Sequence, residues 1–265
     1  MLEEIIVVNR LVLLGLTVAI SVVLLIAIWQ AKKGKKFFIR RIAGLEAIDE
    51  AVGRATEMGR PVHFSPGIAS LSEETAAQTL AGLAVLGYVA RLTAKYDTEL
   101  IVTNRMPEVL PITEEVVRQN YLSQGKSENY NPDNIVFLSD EQFAYAAGCM
   151  GIMSREKVAA NIMMGAFWAE SLIFAEGGFA AGSIQVAGTA NTHQLPFFIA
   201  ACDYCLIGEE LFAAGAYLSQ DPMQVAGIKV QDLGKIVAVL LIIIGTVTTT
   251  CNWPVICEFL ARFAS

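Results

Sequence analysis

Two long apolar runs bracket a segment in which apolar residues recur in short bursts. The first, Leu11 to Trp29, "LVLLGLTVAISVVLLIAIW", holds nineteen residues without a charge. That is about the length a helix needs to cross a hydrocarbon core of roughly 30 Å. The second, Ile236 to Cys257, opens "IVAVLLIIIGTVTTT", is again long enough, and carries Trp253 where an interfacial aromatic belongs. Each run predicts a transmembrane helix.

Between them the periodicity shortens. Leu45, Ile48, Val52 and Ala55 share one face of a helix that stops at Gly59. Strands are then expected at 61–65, 99–104, 134–139, 160–167, 183–189 and 203–208. Of these, "ANIMMGAF" (160–167) is open by composition; Gly165 and the alternation of elements favour a strand. Helices are expected from a capping box at Ser70 and Glu73 through Tyr96, and from Thr113 with Glu114 and Glu115. Further helices follow at 141–153, 168–182, 195–201 (Pro196 in the first turn) and 209–220, and "GKSENYNPD" (125–133) reads as a polar loop. Strands joined by helical crossovers imply an α/β fold, a mostly parallel sheet with helices on both faces, here flanked by an N-terminal and a C-terminal transmembrane helix. The layout is then an N-terminal anchor (1–30), a linker (31–42), the α/β domain (43–234) and a C-terminal anchor with a short tail (235–265).

Charge sets the orientation. "AKKGKKFFIRR" directly after the first run supplies Lys32, Lys33, Lys35, Lys36, Arg40 and Arg41, whereas only Glu3, Glu4 and Arg10 precede it. Basic residues stay on the cytoplasmic side, so the α/β domain is expected in the cytoplasm of a plasma (inner) membrane, with both termini outside. A cleaved signal peptide would want a basic start and small residues at its end. Here the start is acidic and the run ends Trp29-Gln30-Ala31-Lys32. The net charge of −7 argues against nucleic acid as a partner. Of five cysteines, Cys149, Cys202 and Cys205 would face a reducing cytoplasm, where stable disulfides are not expected; a Cys251–Cys257 bridge would be permitted outside but nothing demands it.

From Val158 to Cys202, forty-five residues, the only charges are Glu170 and Glu176. A solvated surface is normally far richer in charge, so this region is expected to be covered, by a second copy of the chain or by the bilayer.

Open parallel sheets bind ligands beyond the C-terminal strand ends. Thr103, Asn104, Arg105, Thr189, Asn191, His193, Glu209 and Glu210 are the candidates there for holding a small anionic ligand such as a nucleotide. Asp140, Glu170 and Glu209 follow three different strands and could converge on a divalent cation, although first-turn carboxylates also serve helix dipoles. Cys202-Asp203-Tyr204-Cys205 is a lone CxxC, two ligands short of a structural zinc site, and Cys205 falls in a strand where a core thiol is ordinary. Ser65 or Ser139 with His193 could form the beginnings of a triad, but no nucleophile elbow supports one, and His63 reads as structural. No phosphate loop or dinucleotide fingerprint is present, and no particular cofactor is indicated.

The strings "AESLIFAEGG", "VAGTANTHQLPFFIAACDYCLIGEE" and "AAGAYLSQDP", taken in order, resemble a family of prokaryotic membrane proteins defined only as a domain of unknown function. The resemblance runs from about Arg60 to Lys235 and is most specific from Gly188 to Glu210. The chain departs from the family pattern in its second cysteine and in Val230-Gln231-Asp232, where the pattern has Gly-Gln-Asp. The resemblance implies a membrane-anchored α/β domain and supplies no activity. With no complete catalytic motif, the expectation is a self-associating scaffold or membrane-organising subunit, its partners being itself, the bilayer and possible further subunits of a membrane complex. The alternative is an enzyme or sensor with a strand-end ligand. Electron transfer would need cysteines shared between subunits.

Overall fold

The computed structural model describes residues 11–33, 42–219 and 222–250. Most of the basic linker, Cys251, Trp253 and Cys257 lie outside the described residues. Two compact units result: Arg40–Ser219, and a second containing the helices α1 (Leu11–Lys32) and α9 (Pro222–Thr250).

The larger unit is an α/β fold. Its strands are β1 (Val62–Gly67), β2 (Leu100–Asn104), β3 (Ile135–Phe137), β4 (Ala160–Ala166), β5 (Ile184–Thr189) and β6 (Tyr204–Ile207). All six pair in parallel, in the order β3-β2-β1-β4-β5-β6. The helices are α2 (Ala43–Met58), α3 (Ala76–Tyr96), α4 (Leu110–Ser123), α5 (Gln142–Arg155), α6 (Ser171–Ala181), α7 (Leu195–Ala201) and α8 (Glu210–Ser219). The chain winds outward from β1 to β3, returns through α5 to β4 beside β1, and winds outward again to β6. This is a doubly wound sheet whose order reverses between β1 and β4.

Two helix starts differ from expectation. Ser70 and Glu73 form no capping box. Ser70 Oγ is drawn to Ser72 and to the Glu108 carboxylate, and α3 begins after Thr75. Thr113 does not open α4; with Pro111 in the first turn the helix starts at Leu110, and Thr113 Oγ1 donates inward to Asn104 Oδ1 at 2.9 Å. Tertiary partners outbid the local cap in both places. The 125–133 loop contains two short 3₁₀ turns, Ser127–Asn129 and, overlapping its end, Pro132–Asn134.

The two sheet faces differ in kind. Val62, Phe64, Leu100, Val102, Ala160, Ile162, Met164, Val186 and Leu206 line one face with α2, α3, α4 and α8 in an apolar core. Each fully buried large side chain there is worth about 1.5–3 kcal/mol. The opposite face, under α5, α6 and α7, carries buried polar residues: His63, Ser65, Thr103, Asn161 and Gln185. His63, Asn161 and Gln185 stand side by side in register across β1, β4 and β5. His63 Nδ1 donates to Asn161 Oδ1 (2.8 Å), Asn161 Nδ2 to Gln185 Oε1 (3.1 Å), and Gln185 Nε2 to the carbonyls of Ala175 and Ala201. In the other direction Thr103 Oγ1 donates to His63 Nε2 (3.0 Å), Cys149 Sγ to Thr103 Oγ1 (3.3 Å), and Tyr145 OH to the Thr103 carbonyl (3.0 Å) while accepting from Ser65 Oγ (2.9 Å). Every member is satisfied when His63 is neutral with its proton on Nδ1. Gly178 makes room for this row: a Cβ there would stand 2.1 Å from Gln185 Oε1.

In the smaller unit, α9 is long and apolar enough to cross a membrane over Val225–Thr248, and none of its most apolar stretch is buried. At 1.5 Å per residue α9 measures about 43 Å. The shorter apolar stretch of α1 is Thr17–Lys32. Gln30 and Ala27 share a groove with Lys229 and Val230, and Ala19 and Ile20 share one with Val237, Ala238 and Leu241, so the two helices pack antiparallel. Ala19, Ala27, Gly234 and Ala238 are the small residues lining these grooves.

Burial holds the His63 pKa down at about 4 against the usual 6.5, outweighing the Asn161 bond. The unfolded chain therefore binds a proton between these values that the folded chain does not. Stability should fall by roughly 3 kcal/mol as pH drops through that window, with no contribution from this group above it. Melting temperatures of the detergent-solubilised chain against pH test this, and His63→Gln, although less stable at pH 7, should show a flatter acid slope. Gly165 has φ +155° and its Cβ position lies 2.1 Å from the Pro66 carbonyl oxygen. Gly165→Ala should cost at least about 3 kcal/mol in denaturant unfolding.

Candidate functional site

The order reversal between β1 and β4 is where a doubly wound sheet ordinarily opens a ligand crevice. Here the two strands stay joined to their ends. Gly67 pairs with Ala166 after a register shift, and Ile68 N donates to the Ala166 carbonyl at 2.9 Å. Gly165 lets the two backbones meet. The loops above the strand ends are laced together by side chains, and these include the candidate ligand residues Arg105, Thr189 and Asn191.

Thr189, the last residue of β5, and Asn191 beyond it are tied to Gln78 on α3. Gln78 Oε1 accepts from Ala190 N (2.8 Å) and Thr189 Oγ1 (3.3 Å), and Gln78 Nε2 donates to Asn191 Oδ1 (2.9 Å). Asn191 Nδ2 in turn donates to the Phe167 carbonyl at 2.7 Å, bringing the β4 loop into the same latch. Arg105, after β2, donates through Nε to the Asp140 carbonyl (2.9 Å) and through Nη1 to the Ile68 carbonyl (2.7 Å). It clamps the loops after β1 and β3. Thr103 is not on the rim at all, since it belongs to the buried polar row. Asn104 is wholly buried, its Oδ1 engaged by Thr113 and its Nδ2 without a partner among the described residues. Glu210 Oε2 accepts from Ile207 N at 3.2 Å, closing the turn after β6, and Glu209 beside it is exposed. His193 is exposed and hydrogen-bonds to none of the described side chains.

The three carboxylates proposed for a cation do not converge. Asp140 is exposed. Glu170 is fully buried, one oxygen accepting from Trp168 N (2.8 Å) and the other from Gln142 Nε2. Among the described residues no group of three His, Cys, Asp or Glu side chains is placed to hold a metal. Nor does a triad assemble: Ser65 is bonded to Tyr145, Ser139 Oγ accepts from Glu141 N, and neither is hydrogen-bonded to His193. The first turn of the β1 loop is occupied by the chain itself, because the Glu108 carboxylate accepts from Ser70 Oγ and from Leu71 N (2.6 Å), which hold its pKa below the usual range.

The cysteines are not equivalent. Cys149 is buried, and burial pushes its thiol up to about 12. Cys205 is not the core thiol expected of a strand: β6 is the edge strand, and Cys205 and Cys202 are both half-buried. Interaction with Cys205, together with burial, pushes the Cys202 thiol up, and interaction with Cys202 pulls the Cys205 thiol down.

A cleft of about 370 Å³ lies at the other end of the sheet, lined by Tyr121, Tyr130, Asp97, Glu99, Asn129 and Asn134. Its carboxylates are already met by Lys126, Asn129 and Asn134.

Gln78, Gln142 and Glu108 are the residues that sequence reading missed. The available signal was a glutamine at a core-facing helix position; Gln78 is buried among apolar α3 neighbours. What the rim does chemically is bind itself. Asn191→Ala should therefore cost about 1–3 kcal/mol and speed amide exchange in residues 68–75 and 190–194, with particle mass unchanged. Thermal melts, exchange mass spectrometry and mass photometry together check this.

No curated protein and no solved structure matches the chain. Residues 2–260 match the family pattern of a domain of unknown function, DUF6754, which extends beyond the strand and helix strings of the α/β unit to nearly the whole chain. The chain therefore belongs to the DUF6754 family.

Proposed function

We propose that this protein is a membrane-anchored scaffold whose α/β unit packs against further copies of itself and organises a larger assembly at the bilayer. The observation that carries this reading is the outer surface of α6 and α7. Phe179 is 80% exposed, Ile199 55%, Phe197 42% and Leu172 41%, and Phe143 and Met150 of α5 are exposed in the same helical layer. Glu170 is buried, so α6 and α7 offer water the single charge Glu176. Apolar residues exposed together on neighbouring helices in this way mark contacts with another chain. The self-bonded strand-end rim lends no comparable support to an enzyme.

The anchoring half of the reading rests on α9, exposed along its apolar length, and on its antiparallel pairing with α1. In this reading both helices span the plasma (inner) membrane. The basic residues from Lys32 to Arg41 hold the α/β unit in the cytoplasm and both termini outside. Trp29, with Lys33 stacked 3.4 Å from its ring centroid, stands at the cytoplasmic interface.

Mass photometry of the full chain in nanodiscs tests the proposal. A uniform multi-copy particle is expected, and Phe179→Glu combined with Phe197→Glu should reduce it to a monomer that melts close to the wild type. A monomeric wild-type particle would overturn self-association, and extraction by alkaline carbonate without detergent would overturn the anchor.

A further inference from the structure

We propose that the groove between α1 and α9 binds one anionic phospholipid of the cytoplasmic leaflet, its phosphate on Lys229 and an acyl chain along the aliphatic lining. The site rests on the reading of both helices as membrane-spanning. The two helices do not close on each other throughout. A hollow of about 520 Å³ lies among Ala19, Ile20 and Val23 of α1 and Gly234, Val237 and Ala238 of α9. A second, of about 250 Å³, continues it toward Gln30 and Lys229, and the two share Val23, Val230 and Leu233. Small residues between transmembrane helices ordinarily let the backbones touch. Gly234 does not serve that end, because a Cβ on it would meet nothing within 4 Å. The space it leaves is open.

The lining is divided along its length as a lipid is. Its polar side chains, Gln30, Lys229 and Gln231, all stand at the cytoplasmic end, and the rest of the lining is aliphatic or glycine. Lys229 and Leu241, the ends of the groove on α9, are separated by about 18 Å of helix. One leaflet of a hydrocarbon core is about 15 Å deep. The groove therefore reaches from headgroup level to the region of the midplane, the span of one acyl chain. Charge selects the headgroup. Lys229 is exposed and forms no ion pair with the described residues. Asp232, the one acid of α9, turns to Lys235 at 3.7 Å, and Lys33 is stacked on the Trp29 ring. Basic pockets between transmembrane helices on the cytoplasmic side hold anionic headgroups. A zwitterionic lipid carries its own cation beside the phosphate and gains less from Lys229. The α9 of a second copy would bring its own Lys229 to the same depth, adding like charge where an anion is wanted.

The test uses the full chain in mild detergent, titrated with dioleoylphosphatidylglycerol or dioleoylphosphatidylcholine and read by native mass spectrometry. One phosphatidylglycerol per chain should bind about five-fold more tightly than phosphatidylcholine. Lys229→Gln should erase that preference and leave phosphatidylcholine binding unchanged, whereas Lys33→Gln should retain it. Gly234→Leu fills the hollow and should abolish binding of either lipid with particle mass unchanged. Lys229 is exposed, so its variant decides the matter alone if Gly234→Leu fails to fold. Alkaline carbonate separates the two readings. A chain that stays in the membrane yet shows no preference for the anionic lipid overturns the site alone, and release without detergent overturns the anchor and the site together. Equal losses in Lys33→Gln and Lys229→Gln would replace the site with diffuse attraction to the basic helix ends. A Gly234→Leu particle that falls to single copies while still binding lipid would assign the groove to a neighbouring copy and sink the proposal.

Discussion

The hydrogen-bonded row from Ser65 and Tyr145 through Thr103, His63 and Asn161 to Gln185 is the constraint on which the rest of the α/β unit depends. A parallel sheet with an apolar core on both faces has little to set its register beyond the fit of side chains. Four of the six strands here carry a polar group that finds its partner only in one alignment. Slipping any of these strands by one residue would drive His63, Asn161 or Gln185 into the apolar face beneath α3 and leave each without a partner. The row also explains the composition of its cover. Gly178 brings α6 close enough for Gln185 to reach the Ala175 carbonyl, and Tyr145 and Cys149 reach down from α5 to close the other end.

The same economy governs the strand ends. Sheets of this winding owe their usual ligand sites to a parting of the two central strands, and Gly67 and Gly165 prevent that parting by letting the β1 and β4 backbones touch. Gln78 then ties α3 to the loop after β5, Asn191 joins that loop to the one after β4, and Arg105 joins the loops after β1 and β3. Polar side chains that would read a substrate in a related architecture are spent on rigidity. A stiff unit that presents an apolar outer layer suits the work of a building block.

The exposed apolar surface has two parts of different character. Along α9, long aliphatic side chains project all round, as suits a lipid solvent. On α6 and α7 the exposed residues are mixed with alanine and glycine on short helices over a sheet, too short to span anything. The first kind fits the bilayer, the second another protein surface.

Short apolar bursts, turn residues and the alternation of elements determined the six strands and the order of helices between them, with Gly165 deciding 160–167, because strands buried on both faces are short and apolar throughout. The two long apolar runs were legible by length. The lack of charge between Val158 and Cys202 was equally plain. Helix starts were not: Ser70 and Thr113 each had a local cap available, and each turned to a partner distant in the chain. The candidate rim was legible as a set of positions but not as a site. Thr103 read as a strand-end residue and proved to face the buried row, because one residue of phase along β2 separates rim from core. Only the tertiary structure decided that Gln78 closes the crevice, that Glu170 is enclosed and far from serving a metal, and that Cys205 sits half-buried on an edge strand. Those outcomes rest on which strands become neighbours, and pairing between segments a hundred residues apart leaves no periodic mark on either one.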